Sequence, residues 1–220
     1  MKTDHQIRKE VEEELDWDPS IEAASIGVEV HDGIVSLDGH LPSYAQKLAA
    51  ERAAERVAGV RAVVIKLDVH PPGTFLDEAI AQAAREALQW HVHVPTDAVK
   101  VRVERGWVTL SGHVDWGYQR RLAERMVSQL RGVAGVVNNI RMSEKTAPPD
   151  VEKRIEEALR RHALREAHRI SVDVRDGTAT LSGRVDSLQD RRAAIGAAWS
   201  ARGISTVVDK LEVTAGRRTS

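Results

Sequence analysis

Cysteine is absent from all 220 residues. That removes disulfides, thiolate nucleophiles, Cys-ligated zinc and iron–sulfur clusters together. The redox compartment stays open, because a cysteine-free chain suits either state. No apolar run approaches the ~20 residues that cross a bilayer as a helix. The opening Met1-Lys2-Thr3-Asp4-His5-Gln6 has no apolar h-region, so no secretion signal is read there. A cytoplasmic location is therefore expected, with a periplasmic one as the alternative for an exported or trimmed chain. Neither sign of charge dominates: 32 Lys+Arg stand against 33 Asp+Glu, a formal net charge of −1. This argues against a uniformly basic nucleic-acid coat and against an acidic disordered tail. Aromatics are scarce at 4 %, and five of them are tryptophan. What is present, 42 % hydrophobic and 30 % charged residues, is ordinary for a globular protein.

The chain repeats itself. Gly33–Val69, Gly106–Met142 and Gly177–Val213 align without a gap; the first and second share 13 identities, the second and third 14. The segments open GIVSLDGHLPSY, GWVTLSGHVDWG and GTATLSGRVDSL. Before each lies an apolar stripe at i, i+4, i+8: Ile7/Val11/Leu15, Ile80/Ala84/Leu88 and Ile155/Leu159/Ala163, which predicts a helix. On that register the first-helix arm of the third unit is four residues shorter than the others. A period-2 run follows in each unit, from Ile26, Val99 and Ile170, as in a half-buried strand.

Asp32-Gly33, Arg105-Gly106 and Asp176-Gly177 then fit a tight hairpin that needs φ > 0. Gly39, Gly112 and Gly183 close the second strand at a bend that a Cβ would obstruct. Ser43 and Gln46 suggest a capping box for the second helix. Gly59, Gly132 and Gly203 sit where a helix C′ glycine belongs, before a third strand. Each unit reads α-β-β-α-β. The expected fold is α+β: three tandem units spanning 1–70, 74–143 and 149–214, each a three-stranded sheet with two helices on one face. Pro71-Pro72 and Pro148-Pro149 mark the linkers, and residues 215–220 are expected to form a disordered tail.

The G-x-V-x-L-x-G pattern, with its α-β arm before it and a helix and G-V-x-x-V strand after it, resembles the BON domain. The matching residues are Gly33, Val35, Leu37, Gly39, Gly59, Val60 and Val63 in the first unit and their equivalents in the second. The third keeps Gly177, Leu181, Gly183, Gly203 and Val207, with Ala179 and Ile204 replacing two valines. The resemblance implies a bacterial, non-enzymatic binding module associated with the envelope, phospholipid surfaces and osmotic stress. Every residue of the motif is a glycine or an aliphatic. It specifies a fold and carries no ligand contact.

The residues themselves offer little catalysis. His91-Val92-His93 is the densest histidine cluster, yet it lacks a third ligand at a sensible spacing, so no metal is expected. His40 and His113 follow the bend glycine and read as polar cover. No G-x-S-x-G elbow, Walker A loop or G-x-G-x-x-G occurs. Gly132-Val133-Ala134-Gly135 matches a KH-type G-x-x-G only superficially, because it precedes a strand. No enzyme activity, cofactor or specific nucleic acid is expected.

The aromatics say more. Trp17 and Trp90 share one repeat position after the first helix and are expected to be structural. Trp107 alternates with Val108 and Leu110, so it points away from the core, and packing on a neighbouring unit is the favoured reading. Tyr118 aligns with Leu122 and Met126 as a buried stripe. Trp116 stands at a helix start beside Arg120, Arg121 and Arg125. That cluster suits an anionic phospholipid surface or an acidic protein partner, unless Trp116 is a hydrophobic staple. Net charge is −6 over residues 1–70, +2 over 71–146 and +3 over 147–220. The acidic first unit could therefore dock on a basic one, within or between chains, and a homo-oligomer is possible. The alternative function is a chaperone-like interaction protein that works through sheet edges and faces.

Overall fold

The computed structural model describes residues 2–90, 98–142, 150–161 and 170–213. Three units follow one another. The first is built from α1 (Asp4–Trp17), β1 (Ile26–His31), β2 (Ile34–Leu41), α2 (Tyr44–Arg56) and β3 (Ala62–Val69). The second contains α3 (Asp77–Gln89), β4 (Val99–Glu104), β5 (Trp107–Val114), α4 (Gly117–Val127) and β6 (Gly135–Met142). The third contains α5 (Val151–Arg161), β7 (Ile170–Arg175), β8 (Thr178–Val185), α6 (Leu188–Trp199) and β9 (Thr206–Val213). In each, the second strand is central: it pairs antiparallel with the first through the hairpin and parallel with the third through the helical crossover. Alternation along β2 buries Val35, Leu37 and Leu41 against the helices and turns Ile34 to the opposite face.

The motif glycines have specific tasks. Asp32 and Gly33 adopt φ 50 and 74, the left-handed pair that a two-residue hairpin turn requires, and the same holds at Arg105-Gly106 and Asp176-Gly177. Gly39 and Gly112 lie at φ 139 and 130, and a Cβ there would land on the carbonyl oxygen of Ser25 or Ala98. Gly59, Gly132 and Gly203 are not helix C′ residues, since α2 ends at a C-cap on Val57 and α4 at Ser128. They form the loop into the third strand, where the carbonyl of Gly59 approaches the α-carbon of Gly33 too closely for a comfortable side chain. The Arg61 N–H then donates to Gly33 O at 2.8 Å, and Ala134 and Ser205 repeat that bond in the other units. The hairpin turn and the crossover loop are thus stitched together.

Three expectations shift. In the third unit the buried stripe of α5 is Val151, Ile155 and Leu159, one turn earlier than read, so its arm is as long as the others; Ala163 lies outside the described residues. In α4 the buried stripe is Gln119, Ala123 and Val127, one residue off Tyr118/Leu122/Met126, which are half-buried. Ser43 does cap α2 by accepting from Gln46 N–H at 3.2 Å, but the Gln46 side chain turns to Glu22 N–H at 3.1 Å instead of completing a box. The Pro148-Pro149 linker and the tail 215–220 also fall outside the described residues.

Candidate functional site

Trp116 is the N-cap of α4, and its N–H donates to Gln119 Oε1 at 3.0 Å. Its half-buried ring sits 6.1 Å from that of Tyr118, and the guanidinium of Arg202, from the third unit, lies 5.8 Å over it. Gly117 next to it is buried because Trp199, at the end of α6, covers it. Arg120 stands 6.0 Å over the Trp199 ring and donates to Asn138 O at 3.2 Å. Arg121 reaches Gly196 O in α6 at 3.0 Å. Burial pulls the Arg121 guanidinium below its usual range, and the neighbouring Arg125 charge adds to this. Cation–π contact and charge-assisted hydrogen bonding already engage these groups. The cluster read as a surface for an anion is therefore a joint between the second and third units. Of its arginines, Arg125 stays exposed.

The same face is used twice more. Tyr44 occupies in α2 the repeat position of Gly117, and it packs against the core of the second unit. Its hydroxyl meets the Val136 backbone; burial, then the Glu124 charge, raises its pKa. Leu188 holds that position in α6 and joins the core of the first unit. Arg192, the equivalent of Arg121, donates to Glu51 Oε1 at 2.7 Å and pairs with Glu55 Oε2 at 2.6 Å. Burial raises the Glu55 pKa, with the Arg192 charge pulling the other way. The first unit thus docks on the second, the second on the third and the third on the first. The three second helices close a ring of joints within one chain.

The exposed apolar groups lie elsewhere. The helices cover one face of each sheet, leaving Ile34 and Val64 exposed on the outer face of the first unit and Trp107 and Val137 on that of the second. Trp107 is 52 % exposed. Its ring lies on Gly135 of the adjacent strand β6, so the neighbour it covers belongs to its own unit, contrary to the expected inter-unit packing. Trp17 and Trp90 are 85 % and 87 % exposed, which overturns the expectation that both are structural: each stands past the last buried position of its helix. His40 is exposed and meets His70 edge-on at 6.3 Å. His91-Val92-His93 lies outside the described residues. Among the described residues no three His, Asp or Glu side chains group as a metal site, and no helix is long and apolar enough to cross a membrane.

The inter-unit roles of Tyr44 and Leu188, aligned at the start of the second helix, and of Arg192, Trp199 and Arg202 were not anticipated from the sequence. A signal was present in the alignment: a helix opens on Gly117 where its equivalents are Tyr44 and Leu188, and Trp199 stands where the other units have Glu55 and Ser128.

Fold and site together define an array of three α-β-β-α-β modules, with glycine-built turns, helices turned toward one another and sheet faces turned outward. The model of the BON domain matches residues 3–71, 76–144 and 149–215, and the chain belongs to that family. Osmotically-inducible protein Y of Escherichia coli (strain K12) is 32 % identical over 128 residues, 56 % of this chain and 64 % of that protein. The match thus spans less than two thirds of that relative's length. Two structures of CdsD, a structural protein of the type III secretion system of Chlamydia trachomatis, align over 94 % and 95 % of this chain and 96 % and 92 % of theirs. Identity is 17 % and 16 %, with TM-scores of 0.26 and 0.25, too low for either to inform this structure.

Proposed function

We propose that the chain is a non-catalytic binding protein of osmotic or envelope stress that holds partner polypeptides on its outward sheet faces. The family and the name of the osmotically inducible relative support the stress context. The observation that carries the mode of binding is the distribution of surface. The arginine-rich cluster is engaged between units, whereas Ile34, Val64, Trp107 and Val137 present apolar side chains to solvent across sheets whose edge strands have no further strand partner among the described residues. Exposed apolar groups beside open edges suit an extended or partly unfolded chain. The test is suppression of citrate synthase aggregation on heating. The wild-type chain should reduce light scattering, and Trp107→Ser with Val137→Ser should weaken that effect several-fold. Wild-type protein without effect, or a variant equal to it, refutes the reading.

A second reading rests on Trp17 and Trp90. Tryptophans projecting from equivalent helix ends suit the interfacial zone of an anionic phospholipid surface. Co-sedimentation with vesicles of phosphatidylglycerol and phosphatidylcholine, lost on Trp90→Ala and Trp17→Ala, would support it. Indifference to vesicle charge would remove it.

A further inference from the structure

The two apolar sheet faces carry opposite charge at equivalent places. On the outer face of the first unit, Glu29 on β1 and Asp68 on β3 flank the Ile34/Val64 pair. Arg102 on β4 and Arg141 on β6 hold those repeat positions in the second unit and flank Trp107/Val137. All four charged side chains belong to exposed residues. Arg102 has a neighbour at 2.7 Å in Glu104, but both side chains are more than two-thirds exposed, where such a pair contributes little. The third unit does not continue the pattern: it has Thr178 at the Trp107 position, and its Asp173 and Glu212 face Arg175 and Arg184 at 3.2 and 3.5 Å.

We infer that the outer face of the first unit docks on the outer face of the second unit of another copy of this chain. Packed sheets lie ~10 Å apart with strands within about 30° of alignment. Stacking then brings Ile34 on β2 and Val64 on β3 against the face that carries Trp107 on β5 and Val137 on β6. Counting also exposed Asp38 and Lys66 on the first face and exposed Lys100 and Glu104 on the second, the faces carry net charges of −2 and +2, so either strand direction opposes unlike net charge. Two first-unit faces would instead oppose like charges, as would two second-unit faces, which makes the contact heterologous. Three strands of six to eight residues present at most roughly 14 by 26 Å, so one contact buries on the order of 700 Å², the weak end of specific association. This inference rests on the sheet faces being the binding surfaces and names their first occupant.

Sedimentation velocity on the full chain, from about 10 µM to about 500 µM, tests it at low and high salt. The weight-average sedimentation coefficient should rise with concentration at low salt and the rise should disappear at high salt. Arg102→Glu with Arg141→Asp makes both faces acidic; Glu29→Arg with Asp68→Arg makes both basic. Each double variant alone should stay monomeric, with circular dichroism confirming its fold, and an equimolar mixture should associate as the wild type does. A wild-type chain that stays monomeric, or a mixture that does not associate, overturns the inference. Citrate synthase protection that persists in such a monomeric chain leaves the broader binding reading standing, so the two failures are distinguishable.

Discussion

Gly117→Ala sets two effects against each other. Gly117 opens α4 with a backbone that any residue adopts, so helix propensity alone makes alanine stabilising by up to ~1 kcal/mol, and less at the first helical position. Packing opposes this. A Cβ at Gly117 would lie 2.5 Å from Trp199 Cε3 and 2.9 Å from the Trp199 carbonyl oxygen. The ring could rotate away, at the cost of its contact with Arg120, but the carbonyl moves only with the end of α6. Overpacking of this kind costs about 1–3 kcal/mol. Packing wins, and the net loss is about 1–2 kcal/mol, which lowers Tm by about 3–6 °C in a chain of this length. Thermal melts followed by far-UV circular dichroism read it directly. Adding Trp199→Ala removes the ring half of the clash, so the double variant should be less destabilised than the sum of the singles by about 1 kcal/mol. A Tm raised by Gly117→Ala, or strict additivity with Trp199→Ala, would refute the joint between the second and third units.

Glu55 gives a pH signature. Burial raises its folded-state pKa above the ordinary 4.5, Arg192 only partly offsetting this, so the folded state binds the proton more readily than the unfolded one. The group's stabilising contribution is therefore full below pH 4.5 and is lost as pH rises through the raised folded value. Wild type minus Glu55→Gln, from urea midpoints between pH 4 and 7, should favour wild type more at the acid end; the opposite slope refutes the burial argument. Asp4→Ala and Asp77→Ala remove carboxylates that accept the N–H groups of Asp32 and Gly33 at 2.8 and 2.9 Å, and of Arg105 and Gly106 at 2.7 and 2.9 Å. Each should cost about 1–2 kcal/mol in chemical denaturation. Gly39→Ala and Gly112→Ala force a Cβ onto a backbone carbonyl that no side-chain rotation relieves. Loss of the affected unit's cooperative melt is expected, and a native-like calorimetric trace would contradict the bend geometry.

The units, their element order and the helix–sheet sidedness were legible because they rest on periodicity and turn chemistry, which are local. Val35 and Leu37 alternate, Asp32-Gly33 demands a left-handed turn, and the structure obeys both. The loop role of Gly59 was less legible, because positive φ serves a C′ cap and a loop equally well; only the approach to Gly33 distinguishes them. The third-unit helix slipped by one turn because Val151, Ile155, Leu159 and Ala163 are all apolar at i+4 spacing, leaving two registers open. Trp116, Arg120 and Arg121 were recognised as unusual, with an anionic surface, an acidic partner and a hydrophobic staple all left open, and the contact with α6 and Arg202 was not among the specific readings. A tryptophan beside arginines has the same composition whether it meets a lipid headgroup or a neighbouring helix. The contacts come from Trp199 of α6 and from Arg202, roughly 80 residues further along the chain, and no local pattern reaches that far.

The motif that defines the family is also the part least able to say what this chain binds. Its glycines stitch the hairpin to the crossover loop, and its aliphatic residues fill three nearly equivalent cores, so the fold alone accounts for them. Specific properties must lie where equivalent positions differ. One such set, Tyr44, Gly117 and Leu188 with their facing residues, gives each joint its own fit: a large side chain on the second unit's core, a glycine beneath an indole, a leucine beside an Arg–Glu fork. Interchanging units would place Tyr44 where only Gly117 clears Trp199, so the order of units in the ring is encoded in side-chain volume. The other set lies on the outer faces, where Glu29 becomes Arg102, Asp68 becomes Arg141 and Ile34 becomes Trp107. Inward differences fix how one chain closes on itself; on the binding mode proposed above, outward differences fix what it can meet. Substitutions in the first set should therefore move stability and leave partner affinity nearly unchanged, and those in the second set the reverse.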